Sequence, residues 1–134
     1  MPKKQYIKRF NAWIKLKRNI HYGQREPHFK EGEIWWGICG ENVGVEINGK
    51  SNLFSRPVLV LKKLNAHFFM AIPLTSRLKA GDWYVEFRFQ GKMQNAVLAQ
   101  ARVMSSSRLY RRMGEADDMD VAAVKKGFHD LFCK

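Results

Sequence analysis

Arg56 stands at the mouth of a five-residue apolar run, Pro57 to Leu61, in the stretch FSRPVLVLKK. A guanidinium is costly to desolvate, so its place at the entrance to a buried strand calls for a chemical reason. Thr75 and Ser76 close the next apolar run, in IPLTSR. If the two runs are antiparallel neighbours, the start of one lies beside the end of the other, and Arg56 and Thr75 face each other at one rim. A guanidinium beside a hydroxyl suits a phosphate, because it offers paired planar donors and one short, steerable O–H. Glu46, in the long segment before Arg56, could swing over that rim as a base. Spacing alone leaves plainer roles open: Arg56 paired with a carboxylate, Thr75 capping a strand end, Glu46 solvated.

Other chemistries find little support. His21, His28, His67 and His129 are scattered, with no HxxxH pair, and Cys39 and Cys133 stand outside any CxxC pair. No metal site is expected, and the two cysteines read as reduced thiols. GENVG lacks the Lys-Ser/Thr ending of a phosphate-binding loop, no GxGxxG follows a strand, and no GxSxG elbow occurs, so no cofactor is expected. The formal charge of +12 on 134 residues is large and clustered, which attracts polyanions. Nucleic acid is the leading partner class, ahead of an acidic protein or an anionic membrane surface. No apolar run approaches the ~18 residues that span a bilayer, and MPKKQYIKRF lacks the apolar core of a secretory signal, which points to the cytoplasm.

The elements that must hold these residues follow from periodicity. Residues 1–30 form a basic N-terminal extension in which Tyr6, Phe10, Trp13, Ile14 and Ile20 recur at helical spacing, predicting an amphipathic helix over about 4–20. Gly23 and Pro27 end it and open a linker. Residues 31–134 form the main domain. Strands are expected at 33–39, 57–63, 67–74, 83–89 and 95–104, with a long loop over 40–55, a tight turn near Asn65 and another at Gln90-Gly91. Ser105 to Ser107 then cap a short helix through Met113, stopped by Gly114. A last helix starts at Asp117, with Met119, Ala123, Val124, Phe128, Leu131 and Phe132 as its apolar stripe. Five short strands with helices at both ends predict a mainly β fold, a small antiparallel barrel or half-open sheet.

The blocks GEIWWG, GVEINGK, SRPVLVLKK, IPLTSR and VLAQARVMSSSRLYRRMG, spread over residues 32–132, resemble in order and spacing the MazF/PemK family of toxin endoribonucleases. The resemblance implies an SH3-like barrel with helices, a homodimer and a bacterial cytoplasm. It further implies inhibition by a co-expressed acidic antitoxin and metal-independent cleavage of single-stranded RNA. In that chemistry the substrate's own 2′-hydroxyl is the nucleophile, leaving a 2′,3′-cyclic phosphate and a 5′-hydroxyl. By resemblance Arg56 matches the family's arginine and Thr75 its active-site threonine, while Glu46 matches a loop acid of some members. Ser76, Arg77, Lys50, Gln100 and Arg102 would line the RNA groove. Two positions depart from the pattern: Ala99 stands before the Gln-x-Arg element, and Ser105 where members carry Asp. The Arg and Asp that act in one branch fall at Val97 and Ala99, so that branch's mechanism cannot apply. Two alternatives therefore stand beside the toxin: an RNA-binding relative with weak or no activity, and a gyrase poison of the CcdB type.

Overall fold

The computed structural model describes residues 9–23, 26–43, 45–50 and 53–133. The chain runs through α1 (Phe10–Tyr22), β1 (Glu33–Ile38), β2 (Ser55–Lys63), β3 (Phe68–Thr75), β4 (Tyr84–Phe89), β5 (Lys92–Val97), β6 (Arg102–Ser105), β7 (Leu109–Glu115) and α2 (Asp118–Phe132). All ladders among them are antiparallel, in the order β4-β5-β3-β2-β1-β7, with β6 beside the first half of β3. The mainly β architecture with a helix at each end is as expected from the sequence. A three-residue 3-10 turn, Ser106–Arg108, joins β6 to β7 at opposite edges of the curled sheet. No ladder among the described residues pairs those edges, so the barrel is not closed by hydrogen bonds.

The apolar run of β2 is continuous because the strand is covered on both faces. Leu59 and Leu61 join Ile34, Ile72, Leu74, Phe87, Leu98 and Val124 in one buried cluster. Val58 and Val60 point the other way, into a cluster with Phe29, Trp35, Phe69, Met104 and Leu109. β3 alternates in step: Ile72 and Leu74 serve the first cluster, Phe69 and Ala71 the second.

Seven strands form among the described residues where five were expected. The predicted strand over 95–104 is split by a 3-10 turn at Leu98–Gln100. The break lets β5 pair with β4 as a hairpin while β6 crosses to β3. The predicted helix over 105–113 is instead the short 3-10 turn followed by β7, which pairs with β1. A central strand needs a partner for both rows of its backbone donors and acceptors, and that demand outweighs the helix propensity of RLYRRM.

Both terminal helices form, with their apolar faces rotated from the expected stripes. On α2 the core-facing positions are Val121, Val124, Phe128 and Leu131, while Met119, Ala123 and Phe132 are exposed. Spacings of three, four and three residues keep the inward set on one face. On α1, Trp13 is buried against Ile38 and Phe54, flanked by Leu16 and Ile20, whereas Phe10 and Ile14 face solvent. Tyr6 lies outside the described residues.

Candidate active site

The β2–β3 ladder sets Val58 opposite Pro73, and two residues further along Arg56 and Thr75 stand at the same end of the sheet. Both line a hollow of about 320 Å³ together with Lys50, Arg77, Lys79, Tyr84 and Gln100. Among the described residues, four cations and no carboxylate line that hollow. Arg56, Thr75 and Lys50 also line a larger adjoining hollow of about 650 Å³, which carries Ser76, Trp36, Gln94, Tyr110 and Arg111. The two hollows thus meet along the Arg56–Thr75 rim.

Arg56 is half-buried. Its Nε donates to the Asn48 carbonyl at 2.6 Å, and no carboxylate pairs with it among the described residues. Burial lowers its pKa from the ordinary arginine value; the Arg77 charge acts in the same sense, and Cys39 opposes it. An arginine keeps its proton under such perturbation, so the result is a poorly hydrated cation held at a fixed place. Thr75 Oγ1 accepts the Arg77 backbone N–H at 3.2 Å, turning the chain at the strand end. Among the described residues no acceptor takes the hydroxyl proton, which leaves it as a donor. Arg77 and Lys79 are placed by buried Asn95, paired with Thr75 in the β3–β5 ladder, whose Nδ2 donates to the Lys79 carbonyl at 2.9 Å and the Arg77 carbonyl at 3.4 Å.

The loop between β1 and β2 folds over this rim. Asn42 Nδ2 donates to the carbonyls of Ile47 and Cys39, and Asn48 Oδ1 accepts the Asn42 N–H. Gln100 tethers the loop from the other side, its Oε1 accepting the Ile47 N–H and its Nε2 donating to the Val45 carbonyl. Gln100 lines the hollow, then, with an amide engaged by protein.

Glu46 sits apart from Arg56 and Thr75. It is exposed, its Oε1 accepts the Val43 N–H at 2.9 Å, and it lines a neighbouring hollow with Asn42, Ala99 and Arg102. Ile47 and Gln100 border both hollows and stand between them. The structure therefore brings Lys50, Arg56, Thr75, Arg77 and Gln100 together, sets Ser76 on the larger hollow, and leaves Glu46 and Arg102 on the far side of Gln100. Sequence reasoning missed Lys79 and Tyr84 in the smaller hollow. The strand expected over 83–89 placed Tyr84 on β4 without saying what that residue meets.

Beneath the site Cys39 is buried. Burial raises its thiol pKa, and the charges of Arg56, Arg102 and Arg108 oppose that rise. Among the described residues no three His, Cys, Asp or Glu side chains gather as a metal site, and no helix is long and apolar enough to cross a membrane.

A curled antiparallel sheet thus carries a cation-lined hollow at one rim. The chain belongs to the PemK-like, MazF-like toxins of type II toxin-antitoxin systems, whose family model matches residues 30–132. MazF from Deinococcus radiodurans has a similar structure, with a TM-score of 0.63 at 21% identity over 83% of this chain and 100% of its own. A chain of a MazE–MazF crystal structure from the same organism gives 0.54 at 19% identity, over 81% of this chain and 96% of that one. An endoribonuclease in complex with its cognate antitoxin from a Mycobacterial species gives 0.59 at 11% identity, over 80% and 95%. At these identities the likeness establishes the fold. No curated protein sequence matches the chain.

Proposed function

We propose that this toxin is a metal-independent endoribonuclease that cleaves single-stranded RNA. The observation that carries the reading is the hollow at the β2–β3 rim, where, among the described residues, Arg56 and Thr75 stand with three further cations and no acid in the lining. A phosphodiester in that hollow meets Arg56 on its non-bridging oxygens and the Thr75 hydroxyl as a second donor. Lys50, Arg77 and Lys79 hold the flanking phosphates, and the Tyr84 ring offers a stacking face to an unpaired base.

The 2′-oxygen adjacent to the scissile phosphate attacks phosphorus, the bond to the 5′-oxygen breaks, and that oxygen leaves with a proton from solvent. The products are a 2′,3′-cyclic phosphate and a 5′-hydroxyl. The transition state carries an extra negative charge at the phosphoryl oxygens. A pre-placed, poorly hydrated Arg56 stabilises it more than it stabilises the ground state. Glu46 lines the neighbouring hollow beyond Ile47 and Gln100 and not the one that holds Arg56 and Thr75, so in this reading the 2′-hydroxyl proton passes to a solvent water. An acidic antitoxin partner fits the basic surface, and a homodimer extends the groove across two copies.

The test is cleavage of a mixed-sequence RNA by Arg56→Ala and Thr75→Ala proteins in the presence of a chelator. Each is expected to lose about 10²–10³ in rate, as when a preorganised charge donor is removed. Wild-type rates in both would end the reading. RNA retained by the wild-type protein without any cleavage product would favour the binding relative that Ala99 and Ser105 suggest.

A further inference from the structure

α1 reaches the residues that hold Arg56. Arg9, just before the helix, pairs with Glu41 at 3.0 Å, and the Glu41 side chain is fully buried. The Arg9 guanidinium also lies 4.2 Å over the Phe54 ring. Trp13 packs on the same ring at 5.6 Å and covers Gly40 so closely that a Cβ there would fall 2.3 Å from the indole. Arg108 braces the far side, lying over Trp13 while its Nη1 donates to the Ile38 carbonyl at 2.9 Å.

These contacts converge on the two ends of the β1–β2 loop. Phe54 is a non-glycine residue at φ 52°, a left-handed conformation that persists where surrounding structure enforces it. Its carbonyl accepts the N–H groups of both Cys39 and Gly40, and the Gly40 carbonyl accepts the Gly49 N–H. Phe54 lies two residues before Arg56 in the chain. Gly49 follows Asn48, whose carbonyl holds Arg56 Nε.

We propose that Arg9 and Trp13 make α1 a positioning element for Arg56: the helix clamps Phe54 and Gly40, and through them fixes the loop that aims the guanidinium. The inference rests on the proposed ribonuclease reading for its kinetic consequence. Its structural consequence stands without that reading. Arg9 acts through Glu41 and Phe54 and touches no substrate in this assignment.

The experiment compares wild type, Arg9→Ala and Arg9→Lys by steady-state RNA cleavage and by backbone amide exchange. Arg9→Ala is expected to lower kcat about 10- to 100-fold with KM within about twofold, because a misplaced catalytic group loses rate and not substrate affinity. Exchange at Gly40, Gly49 and Cys39 is expected to quicken by roughly tenfold, while the β2–β3 core amides keep their protection. Arg9→Lys keeps the charge and recovers most of the rate. An unchanged kcat, a rise confined to KM, or unaltered exchange at the loop would overturn the proposal. If Arg9→Ala does not fold, Glu41→Gln, which keeps the buried shape and removes the ion pair, is read by the same measures. If wild type itself leaves RNA intact, the ribonuclease reading falls and the exchange comparison still decides the clamp.

Discussion

Arg56 gives up part of its hydration at the mouth of β2 and, among the described residues, recovers a hydrogen bond to the Asn48 carbonyl through Nε. That arrangement makes sense for a group whose task is to meet charge brought by something else. The planar fork matters as much as the charge, because a guanidinium can hold Asn48 through Nε while presenting paired donors to a phosphate. A lysine in its place keeps the charge and loses both features. Arg56→Lys is therefore expected to cleave RNA at least about tenfold more slowly than wild type, with binding of intact RNA close to unchanged; equal cleavage rates would show that charge alone suffices. This residue and its partner on β3 were legible in the sequence, because a cation at the start of one apolar run and a hydroxyl at the end of the next must meet if the strands are antiparallel neighbours. The positions of Glu46 and Gln100 were not legible. Loop residues are placed by hydrogen bonds such as Asn42 to Ile47 and Gln100 to Val45, and no periodicity records these.

At the scale of elements, burial on both faces explains β2, and the apolar phase of α2 explains how the helix seals the sheet. Val124 is fully buried at the centre of that phase, whereas Met119 is 84% exposed. Val124→Ala is expected to cost about 2 kcal/mol in urea unfolding, and Met119→Ala to stay within about 0.5 kcal/mol. The reverse ranking would mean that the helix packs on its other face. Gly127 supports the observed phase, since a Cβ there would come within 2.8 Å of Val85 and 2.9 Å of Leu98. The stripe read from sequence was rotated because Met119 and Phe132 are large apolar residues that drew it towards themselves. The two misread elements after Val97 share one cause. Strand β7 and the β5–β6 break answer to pairing with β1 and β3, which are distant in sequence and invisible to a local pattern.

At the scale of the whole molecule, the basic excess shapes partners while a few acids hold the fold. Glu33, buried at the start of β1, accepts from Arg112, the Lys30 N–H and the Trp35 indole. Burial pushes its pKa up, and these hydrogen bonds outweigh that, leaving it below the ordinary carboxylate value. A carboxylate with a lowered folded-state pKa contributes stability that is complete above its unfolded value and is lost as pH falls through the folded one. The urea midpoint is therefore expected to drop between about pH 5 and pH 3, and to drop less in Glu33→Gln; parallel curves would show that Glu33 plays no part. The same molecule offers polyanions a net charge of +12 and, at one rim, a hollow whose lining is cationic. Incubating the protein with a defined single-stranded RNA in EDTA and mapping the new ends tests that hollow most directly. Fragments ending in a 2′,3′-cyclic phosphate and beginning with a 5′-hydroxyl, absent when the nucleotide before the break is 2′-deoxy, are the predicted result. Fragments beginning with a 5′-phosphate, or cleavage that survives the 2′-deoxy substitution, would contradict it.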